Sequence, residues 1–177
     1  MAVTPPLTQV LAATVDGCTL VVVPTMANFK LAPAFKQAVQ AARLSDSALV
    51  VVDMANCRTM DSSFMGTLAG LGRTAGKDGQ PALVLINLGP APAALLKGLG
   101  IDRLLKIYPA GHLPDGLGDL SHLTANLQPV EAERNTALDL TALMYDAHET
   151  LSRVSPENLK RFQDVLAFLR EDLARLQ

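Results

Sequence analysis

The chain has 177 residues, of which 49% are hydrophobic and 18% charged. That composition suits a folded domain with an appendage and excludes a disordered chain. Fifteen Lys and Arg against 17 Asp and Glu leave a net charge of −2, and aromatic residues make up only 4% with no Trp. A basic phosphate-binding face and a base-stacking platform are both unexpected, so no nucleic-acid partner is expected. Cys18 and Cys57 stand far apart without a CxxC pattern, and His112, His122 and His148 share no common metal-ligand spacing. No metal, no cofactor and no disulfide are expected, and a reducing cytoplasm fits this usage. Met1–Gln9 has neither a basic start nor a long apolar run, so no signal peptide is expected. The densest apolar runs, Leu20–Val23 and Ala48–Val52, are far too short to cross a bilayer, and no membrane partner is expected.

In chain order, the first elements read as strands. Val10–Val15 and Leu20–Val23 flank Asp16-Gly17, a dipeptide suited to a two-residue hairpin turn. Phe35, Ala38, Val39 and Ala42 recur at helical spacing, with Pro33 in the first turn. Ala48–Val52 is the strongest strand signal. Its unbroken apolar run predicts a central strand covered on both faces. Met65, Leu68, Leu71, Gly72 and Ala75 mark a second helix, closed by a turn at Lys77-Asp78-Gly79. Ala82–Ile86 is a further buried strand, Ala93–Leu99 a short helix entered through Pro90 and Pro92, and Leu104–Tyr108 a last strand. The order β-β-α-β-α-β-α-β predicts a mixed sheet with parallel pairs.

Residues 109–127, with Gly111, Pro114, Gly116 and Gly118, read as a linker with a short helical turn. From residue 128 onward charge becomes denser, nine acidic against six basic side chains. Leu140, Leu143, Met144, Ala147, Leu151 and Val154 form one helical stripe. Leu159, Phe162, Leu166, Leu169, Leu173 and Leu176 form another, after a Ser155-Pro156 break suited to a new helix start. We therefore expect an α/β domain over 1–112, a linker over 113–127 and a C-terminal α-helical hairpin over 128–177. The hairpin must bury its stripes against its own domain or against another chain, as in a homodimer through these helices.

The informative segment is Val51-Val52-Asp53, a loop, then Asp61-Ser62-Ser63-Phe64-Met65-Gly66 opening a helix. Asp61 or Ser62 suits the N-cap, which brings a hydroxyl to the surface beside the positive end of a helix dipole. A phosphate there would add about −1.5 to −2 charges. This segment resembles the Asp-Ser-Ser-Gly-Leu-Gly pattern of STAS domains, the sulphate-transporter and anti-sigma-factor-antagonist family. Element order over residues 8–108 and the segment Gly89–Tyr108 are similar too. Phe64 stands where that pattern has Gly, and Pro24–Asn28 lacks the family's usual Gly-x-Leu-Asp.

The resemblance implies a STAS-like mixed β-sheet with helices, acting as a bacterial anti-sigma factor antagonist without catalysis of its own. The implied partners are a serine-kinase anti-sigma factor, which phosphorylates Ser62 (Ser63 being the alternative), and a serine phosphatase. ATP would belong to the kinase. The implied partner-binding surface comprises Asp61, Ser62, Ser63, Phe64 and Met65, with Met26, Asn28, Asn56 and Arg58 nearby. Phe64 either packs inward or joins that surface. Two other readings compete. One is an unphosphorylated scaffold assembled through the helical tail. The other is an esterase-like Ser62, which needs a His within about 3.2 Å of its Oγ.

Overall fold

A computed structural model describes residues 7–78 and 80–177. The expected absence of a signal peptide at Met1–Gln9 and the closing residue of the turn at Lys77-Asp78-Gly79 rest partly on Met1–Pro6 and Gly79, which lie outside the described residues.

Strands β1 (Leu11–Val15) and β2 (Cys18–Val22) pair antiparallel, with Val15 opposite Cys18. Asp16 and Gly17 both take positive φ, 49° and 75°, as the tight turn requires. After β3 (Met26–Ala27) and α1 (Ala32–Leu44) comes β4 (Leu49–Asp53), which runs parallel to β2. Next follow β5 (Thr59–Met60), α2 (Ser62–Thr74), β6 (Ala82–Ile86) and α3 (Pro90–Gly98). The expected strand over Leu104–Tyr108 is shorter. A 3₁₀ turn occupies Ile101–Leu104 and β7 only Lys106–Ile107.

The main sheet has the order β7-β6-β4-β2-β1-β8, where β8 (Gln128–Pro129) pairs antiparallel with β1. β4 lies between parallel neighbours β2 and β6, and Val50, Val51 and Val52 are fully buried. Their alternation divides the core. Val50 and Val52 face helices α1, α2 and α3, whereas Val51 joins Leu20, Val22, Val84 and Ile86 on the opposite face.

The stretch expected as a linker covers that opposite face. Leu117, Leu120 and the buried Leu123 of α4 (Ser121–Ala125) pack there. The chain then returns to the sheet edge as β8, so residues 128 and 129 are strand and the hairpin begins only at α5 (Ala137–Ser152). Covering an apolar face needs few side chains, and three leucines among glycines and polar residues leave no helical or strand period to read.

α5 opens with a capping box between Thr136 and Asp139. α6 (Pro156–Leu176) opens on Ser155, whose side chain accepts from the Asn158 N–H, with Pro156 in the first turn. The pair docks on its own domain through the fully buried Leu151 and the buried Phe162, both part of the helix-side core. Buried Asn158 fixes the corner. Its Nδ2 donates to the carbonyls of Leu99 (2.9 Å) and Leu151 (3.0 Å), joining α6 to the end of α3 and the end of α5. The α6 stripe is buried only in its middle, since Leu159 and Leu176 are exposed along with Val165 and Phe168.

Candidate functional site: a serine between a helix start and the hairpin

The loop after β4 returns through β5, which pairs parallel with β3, Met26 opposite Thr59 and Ala27 opposite Met60. That small sheet delivers Asp61 to the head of α2. Asp61, not Ser62, is the N-cap. One carboxylate oxygen accepts from the Phe64 N–H (2.8 Å) and the other from the Phe29 N–H (2.7 Å). A single side chain thus closes the helix start and binds it to the loop that carries Asn28. With the cap supplied by Asp61, the Ser62 hydroxyl is free for other work.

That hydroxyl meets His148 of α5, 86 residues away, at 2.9 Å from Nε2. The other ring nitrogen, Nδ1, lies 2.7 Å from the Met144 carbonyl oxygen. A carbonyl can only accept, so Nδ1 carries the proton. In the neutral ring Nε2 then accepts from the Ser62 hydroxyl. His148 is 5% exposed, with its ring set edge-on to Phe162 at 5.2 Å between centroids. One turn further along α2, the backbones nearly touch. A Cβ on Gly66 would stand 2.3 Å from the Ala147 carbonyl oxygen, and one on Gly70 would rest against Thr150. The spacing of these two glycines lets α5 lie across α2.

The residues expected at the partner surface divide into two groups. Met26, Asn56 and Arg58 are exposed, and Asn28 and Asp61 are half-buried. The β3–β5 pairing and the Arg58 N–H bond to the Thr25 carbonyl bring them to one edge beside Ser62. Met26, 63% exposed, borders a mainly apolar cleft of about 310 Å³ with Leu7, Thr25, Asn28 and Leu31. Ser63, Phe64 and Met65 are buried. Phe64 packs inward against Phe35, ring centroids 5.0 Å apart, so it supports the helix start and offers nothing to a partner. Ser63 presents no open hydroxyl comparable to that of Ser62, which is half-buried.

His148 is the site residue that the sequence did not single out. The signal was its position, flanked by Met144, Ala147 and Leu151 on the apolar side of α5. Gly66 and Gly70, four residues apart on α2, were the matching signal on the other helix. His112 and His122 are exposed and far from this contact in their bonding, His112 lying near the Ala110 carbonyl.

The Ser62–His148 distance meets the requirement set for an esterase-like serine. The surroundings point elsewhere: both Asp61 oxygens are engaged in backbone contacts, and His148 is enclosed beneath the hairpin. A hydrolase also needs a substrate cleft with oxyanion donors beside the nucleophile. Three clefts flank α2, one lined by Gly66, Gly70, Lys36 and Asp146, one by Gly72, Leu104 and Tyr108, and one by Arg73, Arg103 and Arg153, and Ser62 lines none of these three.

Cys57, in the loop before the site, is buried, and burial pushes its thiol up to about 11. Little of this thiol is ionised near neutral pH.

A mixed sheet with parallel β2, β4 and β6 covered by helices, and an Asp-Ser-Ser at the head of α2, defines the STAS class of α/β domain. The family profile described as "Mlab, STAS domain" matches residues 10–106. The chain belongs to the STAS domain family. Among solved structures, an anti-sigma factor antagonist from Mycobacterium paratuberculosis is 24% identical, covering 60% of this chain and 87% of that one, with a TM-score of 0.50. A candidate anti-sigma factor antagonist from Thermotoga maritima is 19% identical, covering 55% of this chain and 83% of that one, with a TM-score of 0.47. At these identities the likeness is one of fold. No curated protein gives a significant match. Among the described residues no helix is long and apolar enough to cross a membrane, and no cluster of His, Cys, Asp and Glu could hold a metal.

Proposed function

We propose that this chain is a non-enzymatic regulatory module of the cytoplasm, an anti-sigma factor antagonist switched by reversible phosphorylation at Ser62. The observation that carries the reading is the division of labour at the head of α2. Asp61 supplies the cap, so the Ser62 hydroxyl is left half-buried and uninvolved in capping, beside a rim of exposed Met26, Asn56 and Arg58 and half-buried Asn28. A serine-kinase anti-sigma factor docks on that rim. Its bound ATP gives up the terminal phosphoryl group. The Oγ–P bond forms, the β–γ P–O bond breaks, ADP leaves and the hydroxyl proton passes to a base. The added charge then repels the partner and must be desolvated if the complex persists. A serine phosphatase hydrolyses the ester and restores the binding form. The family fold and the neighbours that carry the antagonist description support this role.

The test is a phosphate map of the chain recovered from the cells that make it, across growth conditions. Phosphate at Ser62 is expected. None on Ser62 or Ser63 under any condition contradicts the reading.

A second reading rests on α6. Phe168 is 58% exposed, with Val165 and Leu176 also open to solvent. Large apolar groups in that position suit a scaffold that forms a homodimer through its C-terminal helices. Sedimentation of the full chain against Phe168→Glu decides it: a dimer that dissociates in the variant supports the scaffold, and a monomer throughout removes it.

A further inference from the structure

The flank of α2 next to Ser62 is already occupied by the chain's own α5. We propose that the C-terminal hairpin is a cover over the inner flank of α2, latched by the Ser62–His148 hydrogen bond, and that a phosphate on Ser62 releases it. The inference rests on the reading of Ser62 as the modified residue, and deepens it by naming what the modification does within the molecule.

Three observations carry it. The latch is geometric. Ser62 Oγ and His148 Nε2 stand 2.9 Å apart, and with Nδ1 donating to the Met144 carbonyl, Nε2 accepts from Ser62 in the neutral ring. Phosphorylation removes the donated proton and sets a phosphoryl group into that gap. The surroundings are closed on the hairpin side. His148 is buried against Phe162, and the Asp61 carboxylate lies one residue from Ser62, so a dianionic group enters beside apolar surface and another negative charge. The packing is tight at one point. Ala147, adjacent to His148, already sits at backbone contact with Gly66, so α5 cannot move closer to α2 there, and room for a phosphate comes from α5 lifting away.

Lifting α5 exposes the Gly66–Gly70 side of α2, next to the rim of Met26, Asn28, Asn56 and Arg58. The hairpin therefore covers part of the helix whose other side is open to partners. A kinase finds Ser62 from the open side, and the product state uncovers the rest. The opposing force is also specific: an imidazolium at His148 could pair with the phosphate and tighten the cover, which the experiment below separates.

The test installs phosphoserine at residue 62 co-translationally in the full chain, independently of any kinase, and follows amide hydrogen exchange. The unmodified chain, Ser62→Ala and His148→Ala are the comparisons. With phosphoserine, amides of α5 and α6 should exchange about a hundredfold faster, while those of β4 and β6 stay protected. Ser62→Ala, which loses the hydrogen bond without adding charge, should accelerate α5 by no more than about tenfold, and His148→Ala, which also empties a buried site against Phe162, by more. The proposal is overturned if phosphoserine accelerates α5 no more than Ser62→Ala does, if it slows exchange, or if β4 and β6 lose protection together with the hairpin. Absence of phosphate at Ser62 in cells would defeat the reading of the site, whereas these results concern the cover alone.

Discussion

The two sides of α2's first turns differ sharply. On one side, β3 and the loop leading into β5 present Met26, Asn56 and Arg58 to solvent, Met26 beside a mainly apolar cleft. On the other, α5 lies at backbone contact across Gly66 and holds the Ser62 hydroxyl through His148. The open side is built within the family's own domain, residues 10–106. The covered side depends on a segment beyond it. A small sheet–helix module thus keeps its exposed rim and gains a second, intramolecular contact to the same serine. The comparison teaches that accessibility of a site can be set by an appendage while the site's local geometry is set by the core.

Several substitutions break or sharpen this contrast. Leu151→Ala should have the largest effect, since its fully buried side chain joins the hairpin to the helix-side core. Chemical denaturation should show a loss of about 2–5 kcal/mol. Gly66→Ala comes next, at about 1–3 kcal/mol, because its Cβ must displace the Ala147 backbone. Limited proteolysis should then cut the hairpin first and leave the sheet intact. Asp61→Ala removes the cap of α2 and its tie to Phe29, and should cost about 1–2 kcal/mol on the open side. Its exchange signature should lie in α2 and the 26–29 loop, with α6 unaffected.

The smallest effect concerns Cys57. Burial raises its thiol from 9.0 to about 11, so the folded chain holds the proton where the unfolded chain has already lost it. Stability should be unaffected below pH 9 and decline as pH rises above it, and Cys57→Ser should flatten that decline. Alkylation of Cys57 in the folded chain should stay slow at neutral pH.

Much of the fold was legible because its causes are local. The Val50–Val52 run, the Asp16-Gly17 turn and the Ser155-Pro156 helix start each need only near neighbours to act. The covering of the second sheet face by Leu117, Leu120 and Leu123 was not legible, because burial there comes from a returning loop without a period. The return of residues 128 and 129 to pair with β1 is likewise a choice of partner made in space. At the site, Asp-Ser-Ser announced a helix start, yet which residue caps depends on where the Phe29 N–H lies. That Phe64 packs inward follows from Phe35 opposite it on α1. His148 was invisible as a functional group because its role exists only once α5 has docked on α2.

The most direct test of the account is the state of the His148 ring in the intact chain, read by nitrogen NMR of labelled imidazole. The account predicts a proton on Nδ1, held by the Met144 carbonyl, and an Nε2 resonance that moves when Ser62 is replaced by Ala. Ring resonances that ignore Ser62→Ala would show that the hairpin does not hold the serine.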